Sequence, residues 1–166
     1  MNTDGTQKDI QSYLTFKLGD EIFAAHVSKV LNILEMMKIT KVPKAPSYMK
    51  GVINLRGMVL PLIDTRLKFG MSETEFTPST CILVLDINLN NESVKMGAIV
   101  DFVQEVIEIS KDKIQPPPTL GNKYKSSFID GMVKTEDYFI MLLNLEQIFS
   151  TDEIVSLKGV TSEVAS

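Results

Sequence analysis

Gly51-Val52-Ile53-Asn54-Leu55-Arg56-Gly57-Met58-Val59-Leu60-Pro61-Leu62-Ile63-Asp64 sets two short apolar runs on either side of an Arg-Gly break. Val52–Leu55 and Met58–Ile63 are expected to pair as a β-hairpin, with Gly57 supplying the backbone freedom of the connection. Pro61 has no N–H for a ladder, so the return strand is expected to bulge or lie at an edge there. Asp64 is placed to cap a short helix through Lys68, and Gly70 to stop it.

The pattern recurs downstream. A shift of 80 superposes Gly51 on Gly131, Leu62-Ile63 on Leu142-Leu143, Asp64 on Asn144 and Phe69 on Phe149. A shift of 73 superposes Ala25, Val27 and Val30 on Ala98, Val100 and Val103. The seven-residue difference falls in the loop holding Pro43 in one copy and Pro116–Pro118 in the other, where insertions cost little. Chance alignment of short apolar patterns is the competing explanation, and the run of matches at offset 80 weighs against it. Each copy holds about five short strands and a one- to two-turn helix, which suits a small barrel better than a sandwich or a βαβ unit.

The remaining elements fit this plan. Leu14, Phe16 and Leu18 alternate with polar residues, Gly19-Asp20 turns, and Ile22-Phe23-Ala24 returns. Val27, Val30, Leu31 and Leu34 fall at helical spacing over a span too short for an independent helix, so one or two turns are expected, then a strand over Ile33–Met37. Cys81–Leu85 is expected as a strand, Asn88–Glu92 as a turn that looks long, and Met96–Val100 as the return, with Ile107–Ile109 beyond. Met132-Val133 and Tyr138–Leu143 form the last hairpin. Asn144 with Gln147 reads as a capping box, and Ser150–Lys158 as a final helical piece. The expected organisation is one domain over 12–158, of two intertwined lobes whose repeat halves cover about 13–70 and 80–150. Flexible tails, 1–11 and 159–166, flank it.

Composition bounds the function. Of 166 residues, 44% are apolar and 23% charged, the mix of a folded globular chain. A net charge of −4, from 21 acids and 17 bases without a basic block, lacks the footprint of a nucleic-acid binder. The single Cys81 makes no internal disulfide and the start is polar, pointing to an intracellular, reducing address. The longest apolar runs are six residues, against the roughly 20 a membrane helix needs, so no membrane insertion is expected. The Asn91-Glu92-Ser93 sequon is then a chance match.

The inventory for catalysis is poor. His26 is the one histidine, with no second metal ligand near it in sequence, and Cys81 reads as a small buried hydrophobe. Gly51–Gly57 carries Met58 where a phosphate loop needs Lys. The acid pairs Asp20-Glu21, Glu136-Asp137 and Asp152-Glu153 suit turns and caps. No catalytic residue, metal or cofactor is expected. An enzyme or small-molecule binder on two barrels would need a polar pocket that the sequence does not reveal.

Surface chemistry remains. Leu34, Met36, Met37 and Ile39 give a strand with apolar residues on both faces. It is either a binding edge that accepts another chain or a strand buried between the lobes. Arg56 sits at a hairpin tip, where a guanidinium can fork onto carboxylate or carbonyl groups or stay solvated.

The stretch from Met49 to Asp64 closely resembles the signature segment of the CheW family, the coupling proteins of bacterial chemotaxis. The likeness runs from about Tyr13 to Leu157. It takes in Leu18-Gly19-Asp20-Glu21, Val27-x-x-Val30, Met96-Gly97-Ala98-Ile99-Val100-Asp101 and Asn144-Leu145-Glu146. Met36-Met37, His26 and the Asn88–Glu92 turn depart from the common pattern.

The resemblance implies an all-β fold of two five-stranded SH3-like barrels. It implies a cytoplasmic adaptor, at membrane-associated receptor arrays, joining the cytoplasmic tip of chemoreceptors to the histidine kinase CheA through that kinase's CheW-like regulatory domain. The receptor is expected in a groove between the lobes, at Val30, Leu31, Asn54, Arg56, Gly57, Gly97, Val103 and Val106. The kinase is expected on an edge of the first lobe, at Ile33, Leu34, Met36, Met37 and Ile39. A coupling protein of a pilus-motility or gliding pathway would share the fold. A fused response regulator is not expected.

Overall fold

The computed structural model describes residues 9–117, 128–148 and 153. Its strands are β1 (Ile10–Leu18), β2 (Glu21–His26), β3 (Val30–Glu35), β4 (Met49–Leu55), β5 (Met58–Asp64), β6 (Cys81–Leu89), β7 (Glu92–Val100), β8 (Phe102–Ser110), β9 (Ile129–Lys134) and β10 (Phe139–Leu143). One helix, α1 (Thr65–Lys68), and 3-10 turns at Val27–Lys29, Lys111–Lys113 and Leu145–Gln147 complete the described elements.

The strands build two five-stranded sheets, the first ordered β8-β1-β2-β10-β9 and the second β3-β6-β7-β5-β4. These are the same order with the halves of the chain exchanged. The β1–β2 hairpin lies among strands of the second half, and the β6–β7 hairpin among strands of the first. The duplication is present in each sheet's plan, yet neither sheet is a single repeat half. The registers obey the sequence offsets: in the parallel pairs Leu62 stands opposite Gly97, and Leu142 opposite Ala24. Backbone bonds repeat too, Asp64 N–H to Tyr48 at 2.7 Å and Asn144 N–H to Phe128 at 2.8 Å.

Three apolar clusters explain why so many strands read as continuous apolar runs. Ile22, Ala24, Ile109, Ile140 and Leu142 gather on the first sheet, and Ile53, Leu60, Leu62, Ile82, Val84 and Ile99 on the second. Between the sheets lies the largest cluster, which includes Leu14, Phe16, Phe23, Phe69, Leu83, Met96, Phe128 and Met141. Strands buried on both faces cannot alternate polar with apolar residues. Each fully buried Leu or Ile contributes about 1.5–3 kcal/mol. Phe69, at the end of α1, stacks on Phe128 with centroids 4.5 Å apart and tilts against Phe23 at 5.4 Å, so the helix terminus is part of this core.

Several local expectations change. The strand after His26 starts at Val30, after a single 3-10 turn, and ends at Glu35. Pro61 makes neither bulge nor edge, because β5 is interior and its register is regular there. Val52, opposite Pro61, directs its own N–H and C=O to Thr40, so no β4 partner awaits a Pro61 donor, and the parallel ladder to β7 begins one residue later at Leu62. The 88–92 connection is short: Leu89 pairs with Glu92, and Asn90 and Asn91 hold the positive φ values, 53° and 64°, of a tight primed turn. Asp64 caps α1 as expected, accepting from Leu67 N–H at 3.2 Å. Asn144 makes no side-chain cap; its amide donates to Asp130 Oδ1 at 3.1 Å. The helical reading of 150–158 lies outside the described residues except at Glu153.

Candidate functional site

Arg56 occupies a turn that forces it outward. Leu55 pairs with Met58, leaving Arg56 and Gly57 as the two connecting residues, with φ of 53° and 85°. Positive φ at both positions is the demand of a primed hairpin turn, and at Arg56 it carries a steric cost. Asn54 offsets it, because its Oδ1 accepts the Gly57 N–H at 2.8 Å. The Arg56 side chain is exposed and makes no ion pair among the described residues. Asn54, expected as a contact, thus also shapes the turn.

The remaining residues of the expected receptor set are distributed by register. Val30 pairs with Leu85 at the start of β3, toward the end of the second sheet that carries the Asn90–Asn91 turn. The Arg56–Gly57 turn lies at that same end, since β5 runs parallel to β7. Leu31, next along β3, is exposed. Val103 and Val106 lie on β8, an edge strand of the first sheet, with Val103 packed partly against the central cluster and Val106 58% exposed. The two groups therefore sit on different sheets, and the space between the sheets is packed core; any docking surface follows its rim.

Gly97 is corrected as a docking residue. It is buried in the middle of the second sheet, where an added Cβ would come within 2.8 Å of Ile82 and 2.9 Å of Leu62. Its missing side chain serves internal packing.

The segment 33–39 alternates its two faces from Ile33 to Met37, and the alternation breaks where Met37 and Lys38 are both exposed. Leu34, Met36 and Ile39 turn inward and pack against the cluster of the second sheet. Ile33 and Met37 face out, with Met37 38% exposed. Neither of the alternatives read from sequence applies to the whole segment: three of the five expected kinase contacts are partly buried against the core, and the outward row is Leu31, Ile33 and Met37, broken by Glu35.

Polar hollows are present as well. One of about 590 Å³ is lined by Tyr13, His26, Lys29, Lys111, Asp130 and Glu146 among others. Several of its polar groups are engaged: Lys29 pairs with Glu146 at 2.8 Å, and His26 Nε2 meets Gln11 Oε1, outside the lining, at 2.7 Å. His26 Nδ1 accepts the Ser28 N–H at 3.1 Å, so the ring caps the 3-10 turn. Burial and the Asp130 carboxylate push the Tyr13 hydroxyl's pKa up. Burial likewise raises the Cys81 thiol, opposed by a backbone hydrogen bond at Val103. Among the described residues no three His, Cys, Asp or Glu side chains form a metal-ligand group, and no helix is long and apolar enough to cross a membrane.

The prominent exposed features of this two-sheet β module are the arginine turn and the apolar side chains of its β3 and β8 edges. The CheW-like domain model matches residues 12–153, and the chain belongs to the CheW-like family. It is 34% identical to the chemotaxis protein CheW of Rhizobium meliloti over 140 residues, covering 84% of this chain and 88% of the relative. Protein FrzA of Myxococcus xanthus is 29% identical over 143 residues, covering 85% and 86%. The crystal structure of the scaffolding protein TtCheW from Thermoanaerobacter tengcongensis superposes with a TM-score of 0.75 at 30% identity, covering 86% of this chain and 90% of that one.

Proposed function

We propose that this chemotaxis coupling adaptor joins the cytoplasmic tip of a chemoreceptor to the histidine kinase CheA, without a reaction of its own. The receptor side comprises Arg56 with Gly57, Val30 and Leu31, and the β8 residues Val103 and Val106. The kinase side is the outward row Ile33 and Met37, with Leu34, Met36 and Ile39 supporting it from within. The adaptor works in the cytoplasm, at membrane-associated receptor arrays.

The observation that carries this reading is the Arg56 turn. A guanidinium held out by an Asn54-braced connection is available for fork contacts to carboxylates or carbonyls on a receptor helix. Exposed Leu31 and Val106 offer the apolar contacts that such a helix needs. The test is binding of Arg56→Glu to a receptor cytoplasmic fragment and, separately, to the CheA regulatory domain. Loss of receptor binding by about 1–3 kcal/mol with kinase binding retained supports the assignment. Unchanged receptor binding at normal thermal stability removes Arg56 from the site.

A further inference from the structure

The chain passes from one sheet to the other at two equivalent corners, built in different ways. From β2 to β3 it uses the 3-10 turn Val27–Lys29, tied to the Leu145–Gln147 turn by the partly exposed Lys29–Glu146 pair. From β7 to β8 a single residue, Asp101, lies between Val100 and Phe102. The offsets of 80 and 73 make Arg66 the counterpart of Glu146, and Asp101 that of Ser28, beside Lys29. The second corner therefore carries an ion pair of exchanged charges, displaced by one residue along the chain.

Asp101 makes five contacts in that one position. Its Oδ2 accepts from Arg66 Nε at 2.9 Å, Arg66 Nη2 at 2.6 Å and the Gly19 N–H at 2.5 Å. Its own N–H donates to the Lys17 carbonyl at 3.0 Å, and its carbonyl accepts from Ser79 Oγ at 3.0 Å. The end of β1, the β1–β2 turn, the helix after β5 and the 71–80 loop thus meet on the one residue from which β8 departs. Charge-assisted bonds to a half-buried carboxylate are the strong kind, and here they fix a backbone corner.

We propose that Asp101 is a positioning residue for partner binding: gripped by Arg66 and Gly19, it sets the direction in which β8 leaves the corner, and so where Val103 and Val106 are presented. The inference rests on the receptor reading of β8. Asp101 touches no partner in this account; it acts through the strand that follows it.

The test compares Asp101→Ala, Asp101→Asn and Val106→Asp in the full chain. Readouts are affinity for a receptor cytoplasmic fragment, affinity for the CheA regulatory domain, thermal midpoint, and amide hydrogen exchange along β8. Asp101→Ala is expected to weaken receptor binding about tenfold, to leave kinase binding within about twofold, and to speed exchange from Val103 to Val106. Asp101→Asn keeps the acceptor oxygen and loses the ion pair; it is expected to fall between, which keeps the test usable if the alanine variant does not fold. Equal loss of both partners overturns the inference, since a general structural role would produce it. Normal receptor binding in both Asp101 variants, with Val106→Asp impaired, overturns the Asp101 role and leaves the receptor reading standing. Normal binding in Val106→Asp removes β8 from the surface, and the role of Asp101 falls with it.

Discussion

Thr74 donates its hydroxyl to Asp64 Oδ1 at 2.8 Å and its backbone N–H to Oδ2 at 3.1 Å, while the Asp64 side chain has no exposed surface. The same carboxylate caps α1, so one side chain ties the helix that follows β5 to the 71–80 loop. Asp64→Ala leaves buried donors on Thr74 unsatisfied. Urea unfolding is expected to show a loss of about 1–3 kcal/mol, with Asp64→Asn closer to wild type. A loss under about 0.5 kcal/mol would show that the loop finds other partners.

Gly51 packs against the segment that leaves β3. An added Cβ would stand 2.2 Å from the Thr40 carbonyl oxygen, on the strand that exchanges two backbone bonds with Thr40. Because the obstacle is backbone, it cannot rotate away. Gly51→Ala is expected to cost about 1–3 kcal/mol or more, seen as a lowered thermal midpoint. A midpoint within error of wild type would contradict this packing.

The outward and inward faces of 33–39 predict opposite phenotypes. Met37→Asp is expected to fold normally and to weaken binding to the CheA regulatory domain while sparing the receptor. Met36→Asp places a charge on a partly buried side chain against the core and is expected to lose about 1–3 kcal/mol of stability, with both partners affected. Reversed behaviour of the two variants would place the kinase on another surface.

Alkaline stability has a predicted sign. Burial, then the nearby Glu153 carboxylate, pushes the Tyr48 hydroxyl up to about 12 from its ordinary 10.0. The unfolded chain therefore releases that proton first. The stabilisation is complete below pH 10 and is lost as pH rises through about 12. In denaturant titrations the difference in stability between wild type and Tyr48→Phe should shrink between those pH values. A constant difference would contradict the assignment.

How far the sequence revealed this structure depended on range. The Gly19-Asp20 and Arg56-Gly57 hairpins and the Asp64 cap were legible because turn and cap chemistry is local. The offsets of 73 and 80 survive intact in the parallel registers. Which sheet each hairpin joins was not legible, because exchanging β1–β2 with β6–β7 leaves every local pattern unchanged. Leu34 and Met37 could not be sorted, since apolar residues fall on both faces of the segment. Pro61 misled because its lost donor falls where neither neighbouring strand requires one. Gly97 read as a surface of approach, when the group approaching it is Leu62 of the same sheet. The Asp101 corner went unread because Arg66, Gly19 and Lys17 meet it only in the folded chain.

Recruitment of the CheA kinase to receptor-bearing membranes, measured by co-sedimentation while the concentration of this protein is varied, tests the adaptor reading most directly. A bridge predicts that kinase in the pellet rises with added protein and falls again at large excess, when separate copies occupy each partner. Kinase recruitment that does not change with the amount of this protein would contradict it.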